Sequence, residues 1–328
     1  VLNYDGTLDT TFSNTSGLPT TSLQFAPRFD IDENGNWYFS NHSNLYSLNS
    51  TGGINTAFTT GSTNQNIDCI YYGDNAVYIG GNYTLIYGIG RHGIAKIGLT
   101  GGIISAFASS LQQGCGYMSF GEKSMYLYND YLYITGAFSK TVTCTWESLY
   151  KLDKTTGVLD TTFTTTNKAK VATIGCSGCG AGQELFVFED RLWVLGKSAN
   201  RAFDKDTTLA TRIAIFQLDG LLDETMDFTY NCMKNDVTYD TADSCNAFAL
   251  DANANLYIAG WDGGGGSGGL KFDNSPTQNV YGVVELTTTG FFNAVAPTNV
   301  TASTISFGYK TISSLLLISY VVPSFLFN

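Results

Sequence analysis

Four groups of residues in this 328-residue chain have types and spacings that could carry chemistry. Asp30-x-Asp32-x-Asn34-Gly35 matches the opening of a calcium loop. Its twelfth position, which should be a bidentate carboxylate, is Asn41, and the later hairpin at Asp251-Ala252-Asn253 lacks the pattern, so an Asn-Gly hairpin turn accounts for it better. Cys176-Ser177-Gly178-Cys179 has the spacing of half a zinc site or of a redox dithiol. No second Cys-x-x-Cys or paired His accompanies it, and a disulfide-anchored loop is the simpler reading. The two histidines are His42 and His92, and His92 stands in Arg91-His92-Gly93 at the entry to a strand, where a structural role outweighs that of a general base. Trp37, Trp146, Trp193 and Trp261 have side chains able to stack on sugars, yet three of the four sit in or just after strands, where aromatic rings ordinarily enter a core. No Gly-x-Ser-x-Gly motif or phosphate loop appears, and the run from Gly263 to Gly269 lacks the Lys-Ser/Thr and helix of one. The expectation is therefore no catalytic residue, no cofactor and no metal.

The elements that would hold such residues belong to a secreted, turn-rich chain. With 43% hydrophobic and 14% aromatic residues there is enough for a large core, while the 14% charged residues are roughly half the usual share. A net charge of -11 with only 17 Lys and Arg argues against nucleic acid and against an anionic membrane surface. The apolar stretch from Ile312 to Phe327 is too short and too interrupted for a membrane-spanning helix, and no membrane insertion is expected. Val1 opens the chain without an initiator Met, which fits removal of a signal peptide and equally fits a fragment. Asn-X-Ser/Thr sequons stand at Asn14, Asn41, Asn49, Asn82 and Asn299, the candidates for glycosylation. The seven cysteines, Cys69, Cys115, Cys144, Cys176, Cys179, Cys232 and Cys245, are disulfide candidates, with Cys232–Cys245 the first pair and Cys144 with Cys176 or Cys179 the next. An odd number leaves a free thiol, a bond between chains or missing sequence.

One stretch organises the whole. Gly157-Val158-Leu159-Asp160-Thr161-Thr162-Phe163 echoes Gly6-Thr7-Leu8-Asp9-Thr10-Thr11-Phe12, Gly53-Ile54-Asn55-Thr56-Ala57-Phe58 and Gly102-Ile103-Ile104-Ser105-Ala106-Phe107, and looser copies begin at Gly220 and Gly290. Upstream of five of the copies lies a short apolar strand such as Ile94-Ala95-Lys96-Ile97 or Leu149-Tyr150-Lys151-Leu152, and before that a hairpin such as Cys69-Ile70-Tyr71-Tyr72 into Val77-Tyr78-Ile79-Gly80-Gly81. Units of this kind at a period of tens of residues describe the blades of a β-propeller, and a single blade cannot bury both of its faces.

Three motifs carry a family resemblance. Leu132 to Phe138 (Leu-Tyr-Ile-x-Gly-x-Phe), Arg91 to Ile97 (basic, then Gly-Ile-Ala-Lys-Ile) and the Gly-x-Leu-Asp-x-x-Phe tail resemble the delta-60 repeat, a propeller repeat of large bacterial secreted and surface proteins. The resemblance implies a propeller without assigned catalytic residues; the insertion from Ala199 to Arg212, the glycine run and the degraded last signature depart from it. The expectation is one all-β β-propeller domain over 1–328, about six blades of antiparallel strands at roughly 13–60, 61–110, 111–166, 167–230, 231–297 and 298–328 plus 1–12. The last blade would be completed by the N-terminal strand Val1–Tyr4, in cis or from a neighbouring subunit.

The functional expectation is a non-enzymatic extracellular structural or adhesive subunit of a surface assembly or filament, with copies of itself as partners. The alternative is a carbohydrate- or receptor-binding module of a cell-surface or phage-like appendage, with glycans as partners. A hydrolase or lyase would need paired carboxylates converging on the central channel, and comparison of the repeats identifies none.

Overall fold

The computed structural model describes residues 7–12, 28–109, 111, 118–139, 146–163, 182–188, 190–196, 203–206, 209–211, 213–221, 243–250, 256–262 and 282–286. Among them every regular element is a strand, and no helix occurs. The protein is all-β.

The strands fall into five antiparallel units in chain order. Unit one holds β1 (Phe29–Ile31), β2 (Trp37–Asn41), β3 (Asn44–Leu48) and the short β4 (Gly61–Ser62). Unit two holds β5 (Ile67–Gly73) and β6 (Ala76–Gly81), then a small hairpin of β7 (Leu85–Ile86) and β8 (Ile89–Gly90), then β9 (Ile94–Gly98). Unit three is β10 (Met118–Tyr128), β11 (Tyr131–Ser139) and β12 (Trp146–Asp153). Unit four is β13 (Gly182–Phe188) and β14 (Arg191–Gly196), the hairpin β15 (Phe203–Asp206) with β16 (Leu209–Thr211), and β17 (Ile213–Gln217). Unit five is β18 (Asp243–Leu250), β19 (Leu256–Asp262) and β20 (Gly282–Leu286). In these five units the hairpins and third strands expected from the repeat stand where their residues put them. The turn of unit two is made by Asp74 and Asn75, both with positive φ (54° and 52°), the backbone that a two-residue hairpin with right-handed strand twist requires.

Stacking of units explains why the middle strands are apolar throughout rather than alternating. All six residues of β6 are buried, because one face meets the unit before and the other the unit after. The first strands adjoin in order, β1 on β5, β5 on β10, β10 on β13 and β13 on β18. Units three and four also share a parallel bridge at Lys123 and Glu184, which makes them one six-stranded sheet. The core divides accordingly. Tyr38, Val77 and Ile79 are buried in one cluster, Tyr78, Phe120 and Ile134 in the next, and Tyr133, Leu185 and Phe216 in a third. Each such side chain contributes about 1.5 to 3 kcal/mol by leaving water.

The signature copies turn out to be clasps between neighbours. After the third strands of units two and three the chain reverses at a left-handed glycine, Gly101 (φ 90°) and Gly157 (φ 73°), and returns far enough to bridge Ile97 to Ile103 and Leu152 to Leu159. The phenylalanine of the tail then enters the core, Phe58, Phe107 and Phe163 all being buried. Immediately past it, the amide of Thr59 donates to the carbonyl of Thr100 and that of Ala108 to Thr156, each at 2.8 Å, so the tail of one unit hooks onto the turn of the next. Middle-strand tyrosines cross the same boundary, Tyr78 donating to the Lys154 carbonyl (3.2 Å) and Tyr133 to that of Leu218 (3.5 Å). Residues 7–12 already have this form: Asp9 accepts the Thr11 amide (2.8 Å) as Asp160 accepts that of Thr162 (2.9 Å), and Phe12 lies 5.4 Å from Trp37, ring to ring. The segments expected to supply a sixth unit, residues 1–6 and 298–328, lie outside the described residues.

Candidate functional site

A polar band crosses the first strands, and its cause is a repeated β-bulge. Ile67 pairs with Gly81 and Cys69 with Gly80, so Asp68 is an extra residue; Gln183 is extra between Gly182 and Glu184, and Asn246 between Cys245 and Ala247. In unit three the four residues 121–124 stand opposite Thr135 alone. Each bulge falls beside the glycine of the Leu-Tyr-Ile-x-Gly motif, and Gly81 shows why glycine is needed: a Cβ there would stand 2.1 Å from the Asn66 carbonyl oxygen. The bulged residues are all hydrophilic or glycine, and Lys123 among them lies near two carboxylates outside the bulges, Asp30 on the regular strand β1 and Glu184.

Asp30, on β1, is half-buried; its carboxylate accepts the Ile31 amide (2.8 Å) and, across the unit boundary, the Tyr72 amide (2.7 Å). Burial pushes its pKa up to about 6, against the two amides and the charge of Lys123. Glu184 is 2% exposed and pairs through the backbone with Lys123. Ser124, fully buried, donates to the Gly121 carbonyl (2.9 Å) and shares a hydrogen bond with Cys69. Cys69 is a free thiol, also fully buried, and desolvation pushes its pKa up to about 12, opposed by Ser124. That corrects its place among the disulfide candidates: it faces the core between units two and three, where its partner is a hydroxyl. Asp30, Asp68, Lys123 and Glu184 are all engaged by protein groups, so what this band does chemically is carry charge inside a packed strand junction.

The sequence reading missed this convergence. Its signal was available as polar residues interrupting otherwise apolar first strands, but the bulge that turns those residues together is a register property of paired strands.

The remaining candidates distribute as follows. Asp32 is buried in the hairpin turn, its carboxylate accepting the amides of Asn34 (2.9 Å) and Asn36 (2.8 Å), the Asn36 side chain (2.8 Å) and the Tyr38 hydroxyl (3.1 Å). Gly35 supplies the positive φ of 78°, so the calcium-like spacing is a hairpin turn held by Asp32. Among the described residues no cluster of three His, Cys, Asp or Glu is placed to hold a metal. His42, in the β2–β3 turn, and His92, before β9, are both exposed. Trp193 is 4% exposed and stacks on Phe186 at 5.9 Å; Trp37 is half-buried against Phe29 at 5.3 Å. Trp146 and Trp261 lie in β12 and β19, with side chains outside the described set. Of the sequons, Asn41 ends β2, the Asn49 side-chain oxygen accepts the amides of Thr51 (3.0 Å) and Gly53 (2.9 Å), and Asn82 donates to Gln65 (3.0 Å). Asn14 and Asn299 lie outside the described residues, as do Cys115, Cys144, Cys176, Cys179 and Cys232, while Cys245 is placed by its backbone in β18.

No protein-family model matches the chain, and no curated protein matches it in sequence. Among solved structures it is similar to the computationally designed Ika8 protein (11% identity, 71% of this chain and 57% of that one, TM-score 0.38). It is similar also to the computationally designed Ika4 protein (11%, 53% and 87%, 0.34) and to the Pan2 WD40 domain of Neurospora crassa (12%, 71% and 61%, 0.34). The chain thus spans under two-thirds of Ika8 and of the Pan2 domain. Likenesses this distant assign neither a family nor a function.

Proposed function

We propose that the chain is a β-propeller of about six blades that serves as a non-enzymatic, extracellular structural or adhesive subunit, joining copies of itself in a surface assembly or filament. The observation that carries this reading is the repeated clasp, Thr59 on Thr100 and Ala108 on Thr156, which joins unit one to unit two and unit two to unit three by the same contact. Residues 7–12 offer the same tail to unit one, so the blade preceding unit one is built with residues 1–12 as its outer part and with a hairpin drawn from residues 298–328. That hairpin comes from the same molecule, closing a ring, or from a neighbour, linking one copy to the next. The non-enzymatic reading is supported by the engagement of Asp30, Asp68, Lys123 and Glu184 with other groups of the protein. Extracellular placement is supported by the low charge, the sequons and the resemblance to the delta-60 repeat.

Electron microscopy of the purified native protein, with light scattering at high concentration, tests the assembly. Rings or filaments with a propeller-sized repeat are expected. Monodisperse single particles at every concentration would remove the assembly role.

A further inference from the structure

On unit four a shallow depression of about 420 Å³ opens between the β13–β14 turn and the turn after β17, lined by Asp190, Arg191, Gln217, Leu218 and Asp219. Unit three shows why it is open. Leu132 pairs with Leu152 there and Leu192 with Phe216 in unit four, which makes Asp130 and Lys154 the counterparts of Asp190 and Leu218. Lys154 crosses that end of unit three, its Nζ 3.4 Å from the Asp130 carboxylate and 3.1 Å from the Asn129 carbonyl. Leucine cannot make the crossing, and the space that a lysine would cover is left free. Asp190 accepts instead the hydroxyl of Tyr128 from unit three, and Asp219 accepts the Leu221 amide at 2.9 Å, so both carboxylates are oriented on the rim.

The lining decides the ligand class. Two carboxylates repel an anion, and the Arg191 guanidinium in the same rim opposes a simple cation. Carboxylate acceptors, guanidinium and amide donors and the half-buried face of Leu218 suit an uncharged ligand with adjacent hydroxyls, each of which donates to a carboxylate and accepts from Arg191 or Gln217. We infer that this depression is a binding subsite for a neutral hexopyranose of a glycan. The inference goes beyond the structural role and needs only the geometry of units three and four, whether or not copies assemble.

Calorimetric or NMR titration of the intact chain with the methyl pyranosides of mannose, glucose and galactose tests it, with glucuronate as the charged control. At least one neutral sugar is expected to bind saturably, with a Kd on the order of millimolar as befits a shallow site, and glucuronate about tenfold more weakly. Leu218→Lys, which installs the unit-three arrangement, should weaken the neutral sugar about tenfold or more in protein that circular dichroism shows to be folded, since Leu218 also packs against the core cluster of Leu185 and Phe216. Asp190→Ala is the second variant should the lysine disturb folding, and it should weaken the same sugar similarly. Absence of saturable binding to the unmodified chain, or unchanged binding by folded Leu218→Lys or Asp190→Ala protein, overturns the subsite. Neither result bears on assembly, which microscopy reads separately.

Discussion

A Cβ on Gly101 would stand 2.2 Å from the carbonyl oxygen of Thr59, a residue of the neighbouring unit's tail. Gly157 stands in the same relation to the next tail, 2.9 Å from the Ser109 amide. Glycine is required there twice over, for the left-handed backbone of the turn and for the tail that crosses it.

Gly101→Ala should therefore cost roughly 2 to 4 kcal/mol, read as a lowered denaturation midpoint. Gly102→Ala, one residue on, meets nothing within 4 Å and should stay within about 0.5 kcal/mol of the parent. Equal effects at the two sites would mean that the clasp does not hold in solution.

Lys151 and Asp160 form an ion pair of 3.0 Å with both side chains only 14% exposed, and Nζ lies 3.9 Å from the Tyr131 ring centre. Burial tends to raise the Asp160 pKa, but the Thr162 hydroxyl and Lys151 outweigh it and hold it below the usual value. Lys151→Met should destabilise by about 1 to 3 kcal/mol at pH 7. A carboxyl whose pKa is lower folded than unfolded stabilises above its unfolded pKa and stops doing so as pH falls through the folded value. The penalty of the variant should thus shrink below about pH 4 in denaturant titrations.

Asp30 has the opposite sign. Its pKa rises on folding, to about 6, so the folded state holds the proton more tightly, and this group's contribution to stability declines as pH climbs from about 4 to 6. Asp30→Asn should flatten that part of the stability–pH curve and leave the region below pH 4, set by carboxyls such as Asp160, unchanged. Parallel curves for parent and variant between pH 4 and 6 would show that Asp30 is not desolvated.

Cys69 is buried with its thiol pKa pushed up to about 12, so it should be inert to maleimide in the folded protein and labelled on unfolding. Peptide mapping after labelling distinguishes it from the other six cysteines. Labelling of Cys69 under native conditions would contradict the packing of unit two on unit three.

The strands were legible in the sequence because their causes are local, whereas the clasp was not, because Thr59 and Thr100 meet only across a unit boundary. Middle strands such as Ala76–Gly81 are apolar on both faces, and the signature keeps a phenylalanine for the core, while its turn glycine is Gly157 in one copy but Gly52 and Gly101, one residue ahead of the copies at Gly53 and Gly102, in two others. The purpose of Gly81 was not legible, since the atom that forbids a side chain there is the Asn66 carbonyl across a bulge. The same holds for the depression on unit four. Leu218 reads as one more apolar residue until its counterpart Lys154 is seen spanning the same place.

Third strands return to their partners in one register whatever the length of the connection: Val77 meets Ile97, Leu132 meets Leu152, Leu192 meets Phe216 and Leu256 meets Leu286. The intervening segments, 82–93, 140–145, 197–212 and 263–281, differ widely in length. Foreign sequence inserted at Gly88, where a Cβ would meet nothing within 4 Å, should accordingly leave the pairing of β6 with β9 undisturbed so long as the buried Ile86 is kept, which makes that rim a place where new recognition can be installed without redesigning the interior.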